Sequence, residues 1–148
     1  MAIRKIIQNG DPVLLKKSRA VERFDVRLAQ LLDDLIATMN KAEGCGLAAV
    51  QVGVLKRAAV VDTGDGIVEL INPEIIDTVG WQEEEEGCLS FPGESGVTRR
   101  PMSVRVRAQN RDGTWCFYKV DGLKARAFCH EIDHMNGILY KTHVIREK

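Results

Sequence analysis

The sequence lacks long apolar runs, has few aromatic residues and carries no excess charge of either sign. No segment approaches the ~18–20 apolar residues of a membrane helix. The N-terminal segment also lacks the apolar core of a signal peptide, because charged residues interrupt it. Twenty-one basic residues balance twenty-one acidic ones and aromatics make up 5%, so nucleic-acid specificity is not expected. We therefore predict a cytoplasmic protein that makes no membrane contact.

The four cysteines form no Cys-x-x-Cys pair, which argues against a zinc ribbon or a thioredoxin-like redox motif. In the cytosol we expect these thiols to stay reduced. The chain has 148 residues, of which 45% are hydrophobic and 28% charged, close to the average for globular proteins. This length can bury a full core without disulfides, and it predicts a single domain over residues 1–148.

Apolar residues at helical spacing predict two helices. The first covers 25–42, with Asp25 as its N-cap, and the second covers 122–136. Asp121 is in position to cap the second helix, and Gly137 to end it.

Alternating apolar residues predict a set of short strands, at 57–62, 67–72, 74–80, 102–109 and 114–120. The last two are joined by Arg111-Asp112-Gly113, a hairpin loop. Residues 83–86 are four consecutive glutamates. Three of them are expected on a solvated face, whereas Glu86 has a separate role considered below.

Residues 130–134 read His-Glu-Ile-Asp-His and are the most informative segment. On a helix, residues i and i+4 lie on one face, so His130 and His134 can reach one metal ion. Glu131 lies beside them, where its carboxylate can reach water at that ion. Two of the three histidines of the chain belong to this motif. The alternative is a surface helix on which the two histidines and the flanking acids are solvated and bind no metal. The segment predicts a catalytic metal site.

Such a site needs a third protein ligand and an open coordination position. Downstream solutions do not fit, because Tyr140 stands where the extended motif has its third histidine and Glu147 lies one residue before the end. The third ligand is therefore expected upstream, or it is His143. Upstream, Cys88 lies in a short stretch with glycine and proline and is favoured over Cys45. A thiolate beside two imidazoles suits a borderline or soft divalent ion.

Three segments together resemble those of peptide deformylases. They are Gly-Cys-Gly-Leu-Ala-Ala-Val-Gln at 44–51, Glu-Gly-Cys-Leu-Ser at 86–90 and the motif at 130–134, in the order and spacing of that family. The resemblance covers nearly the whole chain. It implies an α+β fold in which antiparallel strands, in small sheets, wrap around a central HExxH helix. It also implies a metal-dependent hydrolase that removes the N-formyl group from formylmethionyl nascent polypeptides and releases formate.

The resemblance also implies the metal ligands. By motif position, Cys88, His130 and His134 would hold the ion. In this family the ion is typically ferrous iron (Fe2+), with Zn2+, Ni2+ or Co2+ as substitutes. Glu131 would then be the general base and acid.

Substrate contacts follow from the same motifs. Gln51 and the backbone amide of Leu89 would stabilise the oxyanion of the tetrahedral intermediate. Glycines would let an extended peptide approach the backbone, and apolar side chains before the histidines would contact the methionine. The substrate-binding residues expected on this basis are Gly44, Gly46, Gly87, Leu123 and Ala127. For Leu123 and Ala127, packing in the core is an equal alternative.

Three charged side chains are expected to support the ligands. Glu86 and Arg100 can pair and fix the loop that carries Cys88, as is characteristic of the family. Asp133 can accept the second ring N–H of a ligand histidine.

The chain departs from the family pattern at a few positions. Val50 stands where many members have proline, and Cys129 where glutamine often precedes the motif. The sequence ends fourteen residues after His134, whereas many bacterial members continue into a longer C-terminal helix. The family's transient ribosome contact is therefore expected to differ here.

Two other functions remain open on the residues alone. One is a different metal-dependent amidase or peptidase with the same ligands, which would act on unformylated substrates. The other is a non-enzymatic metal-binding domain, which would have a fourth protein ligand such as His143 or Cys45.

Overall fold

In the computed structural model, residues 1–147 are described, and they form one six-stranded antiparallel sheet with two α-helices. The strands are β1 (Gly46–Ala48), β2 (Ala58–Asp62), β3 (Ile67–Gly87), β4 (Ser95–Gln109), β5 (Trp115–Asp121) and β6 (Val144–Glu147). They lie in the order β1-β2-β3-β4-β5, with β6 paired to β4. The helices are α1 (Val26–Lys41) and α2 (Gly122–Met135), and 3-10 turns cover Pro12–Leu15, Ala49–Val52 and Tyr140–His143. The predicted α+β class is confirmed.

Helix α1 forms where the apolar spacing predicts it. The Asp25 side chain accepts a hydrogen bond from the Leu28 N–H at 3.1 Å, which satisfies one of the free N–H groups at the helix start. The predicted stripe is buried, and it packs with residues of β1 and β2 in one apolar cluster. Its members on the helix are Leu28, Leu31, Leu32, Leu35 and Met39.

Helix α2 carries the 130–134 motif and lies against the inner face of the sheet. Phe128 and Ile132 pack with Val104 and Val106 of β4 in a second apolar cluster. Gly137 follows the helix with φ of 73°, and a Cβ there would lie 2.4 Å from the Leu15 carbonyl oxygen. This position therefore requires glycine.

Strands β3 and β4 are longer than the sequence predicts. The segments 67–72 and 74–80 belong to the single strand β3, which continues through the glutamates to Gly87. Strand β4 begins at Ser95 rather than at residue 102. The extension has little apolar alternation, so the sequence pattern does not reveal it. Backbone hydrogen bonds between β3 and β4 hold it as a strand. As a result, Cys88 directly follows β3 in the turn between the two strands.

The glycine-containing segment 44–51 forms the short strand β1 and the start of a 3-10 turn. Strand β1 pairs with β2 through Leu47 and Val60. This pairing places the segment beside α2, which contacts β1.

Within residues 1–147, neither helix combines the length and apolar character needed to cross a membrane.

Candidate metal centre

Three side chains from two parts of the fold converge at one point. Cys88 comes from the turn after β3, whereas His130 and His134 lie one turn apart on α2. The possible ligand atoms of these residues all lie within 4.8 Å of one another. The Cys88 Sγ is 3.4 Å from the His134 Nε2, close to the separation of about 3.5 Å expected between ligands of one tetrahedral ion.

The orientation of His130 is fixed by Glu86. The His130 Nδ1 lies 2.6 Å from the Glu86 Oε2, and because a carboxylate only accepts, the imidazole donates here. The Nδ1 of His130 therefore carries a proton, and Nε2 is the ring nitrogen left to bind a metal ion. Asp133 was the acceptor predicted for a ligand histidine, and that prediction is wrong, since the carboxylate of Glu86 from β3 occupies this position.

Glu86 is only 7% exposed and is surrounded by donors. Arg100 donates Nε–H to its Oε1 at 3.1 Å and an NH2 proton to its Oε2 at 2.7 Å, and Thr98 Oγ1 donates at 2.8 Å. Burial raises the pKa of Glu86, but the hydrogen bonds from His130 and Arg100 outweigh it and bring the pKa to about 2. The predicted pairing of Glu86 with Arg100 is confirmed. The three other glutamates of this run are exposed, as predicted.

Asp133 lies on the far side of Arg100. Its Oδ2 accepts from the Arg100 NH1 at 2.7 Å and from the His143 Nε2 at 2.9 Å. His143 is therefore bound to a carboxylate and is not part of the ligand cluster. Among residues 1–147, that cluster consists of Cys88 and the two motif histidines. The alternatives of His143 or Cys45 as a further ligand are not supported.

Glu131 is 3% exposed, and within the described residues its Oε1 has no hydrogen-bond partner. Burial raises the pKa of Glu131 to about 7. A Cβ at Gly46 would lie 2.4 Å from the Glu131 Oε2. Glycine in β1 thus makes room for this carboxylate against the strand backbone, a role that the sequence did not indicate.

Gln51 is held so that its amide nitrogen faces the site. Its Oε1 accepts from the Ala48 N–H at 3.0 Å, and its Nε2 donates to the Ser90 Oγ at 3.1 Å. The same nitrogen lies 3.6 Å from the Cys88 Sγ. The carboxamide therefore presents N–H groups, and not its oxygen, toward the cysteine.

A cavity of about 500 Å³ opens onto this cluster. All five residues predicted to contact substrate line it, namely Gly44, Gly46, Gly87, Leu123 and Ala127. Gln51, Leu89 and Glu131 also line it, together with Cys45. Gly44 lies directly against Leu89, because a Cβ at this position would lie 2.6 Å from the Leu89 Cδ1 and the leucine side chain would have to shift.

Arg126 also lines the cavity, and the sequence reasoning missed it. Its NH1 donates to the Glu85 carbonyl oxygen at 2.7 Å, which ties α2 to the end of β3. A signal was available, since Arg126 precedes His130 by four residues and so lies on the same helix face.

The cluster fits a divalent transition-metal ion. One sulfur and two imidazoles are a ligand set for borderline-soft ions. Burial, together with the charges of His130 and Arg100, lowers the pKa of His134 to about 3, so its ring is neutral at pH 7 as a ligand must be. Burial opposes a positive charge on His130, but Glu131, Cys88 and Glu86 raise its pKa well above the usual value. The local field therefore attracts a cation.

Comparisons with known proteins all give one family. A family model described as polypeptide deformylase matches residues 3–148. The peptide deformylase of Alkaliphilus metalliredigens is 55% identical over 147 residues, covering 99% of this chain and 100% of the relative. That of Caldicellulosiruptor bescii is 55% identical over 146 residues, covering 99% of this chain and 88% of the relative. The crystal structure of peptide deformylase from Thermotoga maritima matches with a TM-score of 0.95 at 39% identity, covering 97% of this chain and 99% of that one.

Proposed function

Because the chain belongs to the peptide deformylase family, we propose that Cys88, His130 and His134 hold the metal ion with which it works. The family removes the N-formyl group from N-formylmethionyl peptides, and this chain is a metal-dependent hydrolase that acts on formylmethionyl nascent peptides. The observation that carries the site proposal is the convergence of one thiol and two imidazoles beside a buried carboxylate at a cavity.

Ferrous iron is the native ion in this proposal, with zinc, nickel and cobalt as substitutes. The support is the donor set, because a thiolate and two imidazoles accept each of these ions. A divalent ion at such a site lowers the pKa of a water molecule and polarises a carbonyl oxygen. Three protein ligands leave a further position open for solvent or substrate.

Glu131 moves the proton. Its carboxylate takes a proton from the attacking water and later gives it to the amine that leaves as the new peptide N-terminus. Its pKa of about 7, raised by burial, lies near neutral pH, where a group can both accept and return a proton. Its Oε1, unpartnered among residues 1–147, is free to receive that proton.

Gln51 and the N–H of Leu89 stabilise the charge that develops on the formyl oxygen. The support is that Gln51 directs its amide nitrogen toward Cys88 and that Leu89 directly follows this residue on the cavity wall. One such donor contributes on the order of 100-fold to the rate.

The cavity wall binds the start of the peptide. Leu123 and Ala127 provide apolar surface for the methionine side chain, on the helix face that leads to His130. Gly44, Gly46 and Gly87 expose backbone groups to an extended chain, which can bind by strand-like pairing. The substrate then lies between β1 and the end of β3.

We also propose how the chain is organised and where it acts. Residues 1–148 act as one catalytic domain in the cytoplasm, where nascent chains emerge. Support for the single domain comes from the continuous sheet through the described residues.

Formate release from a formyl-Met peptide tests the function. The protein is prepared anaerobically with Fe2+, Zn2+, Ni2+ or Co2+, and an acetyl-Met peptide serves as the matched substrate. We expect rapid formate release with Fe2+ and little acetate release with any ion. Equal hydrolysis of both peptides would instead indicate a general amidase, and higher activity with Zn2+ than with Fe2+ would contradict the proposed native metal.

A further inference from the structure

The third histidine of the chain has no part in the proposed reaction. His143 lies in the 3-10 turn Tyr140–His143, and its side chain is 35% exposed. Its Nε2 is 2.9 Å from the Asp133 Oδ2. Because a carboxylate only accepts hydrogen bonds, the His143 ring donates to Asp133.

This contact is the outer end of a continuous series of hydrogen bonds. The same Asp133 Oδ2 accepts from the Arg100 NH1 at 2.7 Å. The two other donors of the Arg100 fork bind Glu86 at 3.1 and 2.7 Å. Glu86 in turn holds the His130 Nδ1–H at 2.6 Å. The half-exposed His143 is thus connected to a ligand imidazole through three charged side chains.

The position of Arg100 depends on both carboxylates. The Arg100 side chain is 3% exposed and the Glu86 side chain 6%, whereas the Asp133 side chain is 20% exposed. Asp133 is therefore the end of the series that water can reach, and His143 is the second donor that binds its Oδ2 beside Arg100. Without that donor, Asp133 can turn toward solvent, and a buried N–H of Arg100 loses its partner at a cost that favours rearrangement.

The turn that carries His143 is itself fixed against the site. The Tyr140 ring stacks on the His130 ring with centroids 6.1 Å apart and planes 26° apart. Directly after the turn, Val144 pairs with Thr98 of β4, the strand that also carries Arg100. The turn therefore contacts His130 on one side and supports its hydrogen-bonding partners on the other.

We propose that His143 is a positioning residue of the metal centre, which acts through Asp133, Arg100 and Glu86 on the orientation of His130. The inference rests on the proposed ligand set. It predicts that loss of the His143 donor weakens metal binding about three- to tenfold, less than the 10- to 100-fold typical of a partner that touches the ligand directly.

The test compares His143→Leu, which removes the donor, with His143→Gln, whose amide can replace it. Thr142→Ala on the same exposed turn is the control, since no part of the series includes Thr142. Zinc affinity is measured by chelator competition in the full-length protein. The His130 Nδ1–H resonance is recorded by 1H–15N NMR with and without zinc, so the orientation of His130 is measured even if the ligand set is wrong. A wild-type protein that bound no zinc would count against the proposed function alone.

Three results support the proposal: weaker zinc binding and a shifted or broadened His130 Nδ1–H signal in His143→Leu, recovery in His143→Gln, and no change in Thr142→Ala. Wild-type affinity and an unchanged signal in His143→Leu would overturn it. A double-mutant cycle with Asp133→Ala, which removes the oxygen that accepts from both His143 and Arg100, separates positioning from general destabilisation. If the effect of His143→Leu persists in full when Asp133 is already replaced, the route through Asp133 is wrong.

Discussion

Strand β4 carries two arginine–glutamate pairs of equal length in opposite surroundings. The Arg100 NH2 lies 2.7 Å from the Glu86 Oε2, and the Arg107 Nε lies 2.7 Å from the Glu74 Oε2. The first pair is almost fully buried beside His130, whereas the side chains of the second are 42% and 57% exposed. Burial therefore distinguishes the pairs, since their distances do not.

The difference shows what each pair contributes. An exposed pair contributes ~0–1 kcal/mol, because water screens it. A buried pair gains little net stability over apolar residues, yet removing one partner is costly because the other charge remains buried. The Arg100–Glu86 pair therefore serves to orient His130. The Arg107–Glu74 pair is a minor surface contact.

The largest contrast between the two regions is expected in activity. Replacement Glu131→Gln removes the proton acceptor proposed for the site and should lower kcat on the order of 1000-fold, within the range for general acid–base catalysis. The same change in the exposed region, Glu74→Gln, should leave kcat unchanged. Formate release measures both variants, and a Glu131→Gln protein with more than a tenth of wild-type kcat would contradict the assigned role.

The second contrast is in stability. Arg100→Met leaves the buried carboxylate of Glu86 without its cation, and it should lower the free energy of unfolding by about 3–5 kcal/mol. Arg107→Met should lower it far less, because water screens the exposed pair. Urea unfolding of both variants measures the difference. Equal losses would show that burial does not separate the two pairs.

A third change tests the packing of the site without altering charge. Gly46→Ala places a Cβ where it would lie 2.4 Å from the Glu131 Oε2, so the carboxylate must move. A displacement of about 1 Å can reduce the rate about 100-fold, and we expect kcat/KM to fall by that order. Metal content should be retained, because no ligand is touched. If kcat/KM stayed within twofold of wild type, the close contact would have no catalytic meaning.

The smallest effect concerns the exposed pair. The hydrogen bond from Arg107 holds the pKa of Glu74 below its usual value of 4.5. The small stabilisation from this carboxylate is therefore present above pH 4.5 and is lost as the pH falls through the lowered pKa. Salt at 1 M, with a screening length of about 3 Å, should return the pKa toward 4.5. Carboxyl NMR titration at low and high salt checks this, and a salt-independent pKa would mean that the pair is not screened.

Local patterns predicted the elements whose signals lie within one segment. The apolar residues of α1 repeat at helical spacing, and Asp25 directly precedes them as a cap. The two motif histidines are four residues apart and therefore share one helix face. The ends of β3 and β4 could not be predicted this way, because residues 83–87 are held by hydrogen bonds to a distant strand rather than by apolar alternation.

The site shows the same division. The residues of the 130–134 motif and Cys88 were predicted from motifs and from a family resemblance. The hydrogen-bond partner predicted for His130 was wrong. Asp133 is close to His130 in the sequence, but the carboxylate that binds the ring is that of Glu86, which is distant in the sequence and near in the fold. The position of His143 depends on the turn that follows α2. Its distance from the motif in the sequence did not show whether it was a metal ligand.

In the proposed site, Cys88 is the third ligand of the metal ion on which hydrolysis depends. Metal content and formate release measured together, in wild-type protein and in Cys88→Ala, test it most directly. We predict about one equivalent of metal and rapid formate release in the wild type, with both lost in the variant. A Cys88→Ala protein that kept its metal and its activity would contradict the account.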